Sequence, residues 1–94
     1  MKAFNMIIID GKRWFQKSYG NTYHSVSVTV DGVHLGNSGK HYGYGDTYRQ
    51  TAFEMLQNKG YFEGMEYNEF CQFQRDNREK FYFTVSDVTR EKDL

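Results

Sequence analysis

The sequence predicts an α+β fold: an antiparallel β-meander of three to four strands, one main helix packed on it, a second short helix, and a closing C-terminal strand. Three patterns carry this expectation. His24, Val26, Val28 and Val30 alternate with Tyr23, Ser25, Ser27 and Thr29, a period of two over eight residues. Tyr48, Ala52, Met55 and Leu56 fall on one stripe when the chain is wound at 100° per residue, with Phe53 at its margin. Phe81, Phe83 and Val85 again alternate, this time with Tyr82, Thr84 and Ser86.

The elements follow in order. Asp10-Gly11, Gly20-Asn21 and Asp31-Gly32 are two-residue turn signals, because these residues accept the positive backbone angles of tight hairpins. Residues 4–36 are therefore read as the meander. Within it, Trp14 and Phe15 suit a strand crossing an edge, and Val33 to Leu35 pairs back as a short strand. Asn37 to Gly45 is glycine-rich without an aliphatic residue, which reads as loop. A helix is expected over about 46–59, with Asp46 as N-cap and Lys59-Gly60 as the stop. Tyr67, Phe70 and Cys71 have helical spacing and mark the second, shorter helix. The closing strand is expected over about 80–86, and the charged tail from Asp87 to Leu94 is expected to fray.

Composition bounds the rest. With 94 residues, the chain suits a single domain, 1–94. Leu, Ile and Val are scarce, but eight Phe, eight Tyr and Trp14 supply large rings in their place. Lys and Arg number 12 against 12 Asp and Glu, which excludes a polybasic or an acidic tail. The longest aliphatic run, Met6 to Ile9, falls far short of the roughly twenty residues of a membrane span. Cys71 is the only cysteine, so an intramolecular disulfide and a cysteine-based zinc site are both ruled out. No cofactor or metal is expected, and a soluble, intracellular protein is.

Net neutrality hides an asymmetry. Residues 1–45 carry five basic and two acidic groups, while residues 46–94 carry seven basic and ten acidic. In the basic half, Lys12, Arg13, Lys17, Tyr19, Tyr23, Lys40, His41, Tyr42 and Tyr44 interleave cations with rings. Single-stranded nucleic acid demands that mixture, cations for phosphates and rings for stacking bases. Trp14 and Phe15 are expected in the core, and the tyrosines stay open between core and surface. A second candidate is Gly43 to Asp46, where a glycine-rich loop opening onto a helix could hold a small anion or nucleotide. Against it, Asp46 puts a negative charge where the anion would sit.

Catalytic residues are not apparent. His24 lies on the apolar face of its strand, which suits a hydrogen-bonded core histidine, and Ser25 beside it must point to the other face. Binding to protein is favoured instead. Tyr, Trp, Phe and Met, the residues enriched in interface cores, number 21 here. A small domain poor in aliphatics also gains from burying surface against a copy of itself, so a homo-oligomer is expected.

Two segments are distinctive together: Asn21-Thr22-Tyr23-His24-Ser25-Val26, and Tyr42-Gly43-Tyr44-Gly45-Asp46-Thr47-Tyr48 running into Gln50-Thr51-Ala52. With Val85-Ser86-Asp87-Val88 and Lys92-Asp93-Leu94, the chain resembles a group of small uncharacterised bacteriophage proteins. The resemblance implies a setting, the cytoplasm of an infected host cell, and transfers no functional residue. Small neutral phage proteins there often bind a host factor, including components of antiviral defence. The expected function is thus non-catalytic binding of a host macromolecule, most of all a protein, in host takeover or anti-defence. The alternatives are weak single-strand nucleic-acid binding on a basic, aromatic sheet surface, and a small anion or nucleotide at the glycine-rich loop.

Overall fold

A computed structural model describes residues 2–94 as an α+β fold, a mixed open sheet of five strands with two helices. The strands are β1 (Ile7–Gln16), β2 (Asn21–Val30), β3 (Val33–Asn37), β4 (His41–Tyr42) and β5 (Phe81–Val88). The helices are α1 (Thr47–Asn58) and α2 (Tyr67–Asp76). Strand order is β3-β2-β1-β5, with β4 pairing onto the first residues of β2. Among the described residues, no helix is long and apolar enough to cross a membrane.

Alternation decides which side of the sheet is buried. Ile7, Ile9 and Gly11 of β1 stand beside Val30, Val28 and Val26 of β2 in register, and all six are buried. Ile8, Asp10 and Lys12 project from the other side and are exposed. α1 covers the buried side with Tyr48, Thr51, Ala52, Phe53 and Leu56. α2 and the loop before it add Phe70 and Phe62, which meet Phe4 and Phe81 to complete the core. At the sheet's open margin the Arg49 guanidinium lies 4.1 Å over the Phe83 ring, so its stem and plane shield apolar surface while its charge stays wet.

The sheet is not purely antiparallel, which corrects the simple meander. β1, β2 and β3 pair antiparallel as expected, but β5 runs parallel to β1, with Ile7 beside Phe81 and Trp14 beside Val88. The cause is the path of α1. Tyr48 packs against Gly11, and Lys2 N–H donates to the Gly60 carbonyl, so α1 returns the chain to the end where β1 begins. A strand entering there beside β1 must run the same way.

Asp10-Gly11 is not a turn. It lies inside β1, and Gly11 lacks a positive φ. Glycine is required there for space, since a Cβ would sit 2.6 Å from Tyr48 Cδ2 and 2.8 Å from Cγ. Gly11→Ala should therefore lower stability by about 2 kcal/mol through displacement of the buried ring, measurable in urea unfolding. Asp31-Gly32 does turn, with φ of 50° and 81°, and the Asp31 carboxylate accepts from Asn5 and Met6 N–H at 2.8 Å each.

Three further expectations are corrected. The stretch 37–45 is not all loop, because His41 and Tyr42 form β4. Asp46 precedes α1 but makes no side-chain cap; Thr47 Oγ1 instead donates to the Tyr44 carbonyl at 2.7 Å. The strand β5 reaches Val88, beyond its expected end, and past it Glu91 accepts from Lys40 Nζ at 2.7 Å.

Candidate functional site

All nine basic and aromatic residues singled out in the sequence gather at one end of the sheet. The β1–β2 hairpin carries Lys12, Arg13, Lys17 and Tyr23 there, with Tyr19 in its turn, while β4 and its flanks bring Lys40, His41, Tyr42 and Tyr44. They do not form one surface. Side chains alternate along β1, so Lys12 and Arg13 face opposite sides.

On the bare side, three rings run across the strands. Trp14 stacks on Tyr23 with centroids 5.9 Å apart, and Tyr42 meets Tyr23 edge-on at 5.7 Å. Lys40 Nζ sits 5.0 Å over the Tyr23 ring. Trp14 is thus half-buried on the uncovered face and not in the core, which corrects its expected place. Hydroxyls of Ser27, Thr29, Thr84 and Ser86 fill the middle of this face; Thr84 Oγ1 donates to Asp10 Oδ1 at 2.8 Å. Farther along, Ile8 and Tyr82 stand side by side and exposed.

On the helix side, the hairpin extends past α1 and leaves a cleft of about 450 Å³. Arg13 and Phe15 line it from β1, Lys17 from the turn after it, Thr22 from β2, Tyr44 and Gly45 from the segment before α1, and Asp87, Val88 and Thr89 from β5 and its end. Arg13 is held at two points: its Nε donates to Asp87 Oδ1 at 3.1 Å and its Nη1 to the Gly45 carbonyl at 3.4 Å. Phe15 is 55% exposed here, so it too lies outside the core. The helix layer is simply too short to cover it.

His24 is buried between the Gly43 backbone and α1. A carbonyl can only accept, so Nδ1–H donates to the Gly43 carbonyl at 3.2 Å, and Nε2 accepts from the Thr51 hydroxyl at 2.7 Å. His41 stacks on the ring at 5.9 Å. With both nitrogens engaged, His24 is a structural group. Ser25 points the other way, and its buried Oγ has no partner among the described residues. Cys71 is half-buried beside Tyr67, whose hydroxyl is pushed up to about 12, by burial first and then by its bond to the thiol.

Burial lowers the His24 pKa from 6.5; the Gly43 bond opposes this and the nearby His41 adds to it. The unfolded chain then takes up a proton at higher pH than the folded one. The His24 contribution to stability is therefore complete above pH 6.5 and is lost as pH drops below it. Thermal midpoints measured from pH 7.5 to 5.5 should show this slope, and His24→Gln should flatten it.

Compared with family models, curated proteins and solved structures, the chain matches none. Phe15, Asp87, Thr89 and the ring of Trp14 belong to this end of the sheet and were absent from the sequence-derived set. Asp87 and Thr89 are more than 70 residues from Arg13, and only the parallel pairing of β5 with β1 brings them close. Nothing in local sequence signals that register.

Proposed function

We propose that this is a non-catalytic binding protein that engages a host protein through the uncovered face of its sheet. The observation that supports the reading is the chain of rings Trp14, Tyr23 and Tyr42 on a face no helix covers. Clustered Trp and Tyr within a polar surround is the usual make-up of a protein interface centre. Charge favours protein over a nucleic-acid strand. Lys40 is paired with Glu91, and Asp10 lies two residues from Lys12 on the same face, so little positive charge remains for phosphates. The bacterial host, with a role in takeover or anti-defence, comes from the resemblance of the segments around Tyr23 and Tyr44 to phage proteins. Self-association belongs to the same reading, with Ile8 and Tyr82 as its apolar patch.

Tagged protein incubated in bacterial lysate tests this. A host protein should be retained after nuclease treatment and at raised salt. Recovery of nucleic acid alone, lost as salt increases, would replace this reading with the strand-binding one.

A further inference from the structure

We propose that the cleft beside Arg13 binds a nucleoside monophosphate, with the phosphate on Arg13 and the base against Phe15 and Tyr44. The site lies on the opposite side of the sheet from the rings of the proposed protein interface. It stands or falls separately from that reading.

Arg13 has five N–H donors, of which Asp87 and Gly45 receive two. The other three have no protein acceptor among the described residues, and the side chain lines the cleft. A fork already fixed at two points loses little freedom on taking a phosphate oxygen pair, the geometry guanidinium suits best. Lys17, in the turn just past β1, lines the same cleft and adds a second positive charge.

The rest of the lining selects for more than an anion. Phe15 and the 73% exposed Tyr44 present rings to the same space, and every base has a π-face to lay on them. Thr22 and Thr89 supply hydroxyls of the kind a sugar can bond. The volume falls within the range of about 300–1,000 Å³ usual for small-molecule sites.

Charge sets the number of phosphates. Arg13 and Lys17 against Asp87 leave a net single positive charge, which suits one phosphate and is too little for a triphosphate or a strand. The Asp87 carboxylate competes with the phosphate for Arg13, so affinity should be modest, on the order of 0.1 mM.

Amide chemical-shift titration of the purified full chain tests the site, with AMP as probe and adenosine, inorganic phosphate and a 5′-phosphorylated dinucleotide as separate arms. AMP should produce saturating shifts confined to residues 13–17, 44–45 and 87–89. Adenosine and inorganic phosphate should each bind roughly tenfold more weakly or worse. Arg13→Gln and Phe15→Ser should weaken AMP by a similar factor with the fold intact, since Phe15 is exposed and the Asp87 left behind is open to solvent. Asp87→Asn should tighten AMP severalfold by removing the competing charge. The dinucleotide arm distinguishes a free nucleotide from a strand end carrying the same group. Absence of saturation with 10 mM AMP, phosphate binding as tight as AMP, or shifts unchanged by Arg13→Gln would overturn the proposal.

Discussion

Val28→Asp should give no cooperative thermal transition. Val28 is fully buried at the centre of β2, flanked in register by Ile9 of β1 and Gly36 of β3, on the face beneath α1. A carboxylate there would have no cation and no water. Leaving such a charge unpaired in a core costs about 3–5 kcal/mol or more. A chain of this size is held by only roughly 5–14 kcal/mol in total, so most or all of its stability is lost. The neighbouring Thr29 faces the uncovered side, and Thr29→Asp should fold and melt close to the parent. Calorimetry on the pair checks the assignment of faces directly. Similar melting of both variants would mean that the buried side of the sheet had been misplaced.

Phe62→Ala should cost about 3–5 kcal/mol, lowering the thermal midpoint by roughly 15–25 °C. The ring is buried at the meeting point of Phe4, Phe70, Phe73 and Phe81, with centroids 5.1–6.4 Å away. Its backbone adopts φ of 53°, a conformation a large side chain rarely takes. Gln57 Nε2 fixes the loop by donating to the carbonyls of Phe62 and Met65 at 3.2 and 2.8 Å. Packing of the ring thus offsets local strain, and the strain stays when the ring is removed. A midpoint shift of only a few degrees would show that the phenylalanine cluster does not replace the missing aliphatics.

These two residues also show how far the sequence can be read. Val28 belongs to a strict two-residue alternation, and the structure buries the face that pattern marks. The stripe of α1 and the alternation of Phe81 to Ser86 were equally legible, because each is a local periodicity that one packed layer enforces. Phe62 was not legible: it lies in a turn with no period, and its burial depends on rings from three other segments, the stretch before β1, α2 and β5. Trp14 and Phe15 misled for the opposite reason. Hydrophobicity assigns them to a core, yet at their end of the hairpin no helix is present to cover them. The nine candidate residues were recognisable as a set by composition, but their division between two faces follows from strand parity. The closure of the cleft by Asp87 depends on the direction of β5, which alternation alone leaves undetermined.

The most direct measurement compares the parent with a Tyr42→Ser variant in nuclease-treated bacterial lysate, using quantitative mass spectrometry of the captured proteins. The Tyr42 ring packs edge-on to Tyr23, is 66% exposed and lies outside the cleft, so the variant should melt like the parent. It should lose most of the protein that the parent retains. Equal recovery of the same partner by both chains would contradict a binding face built on Trp14, Tyr23 and Tyr42.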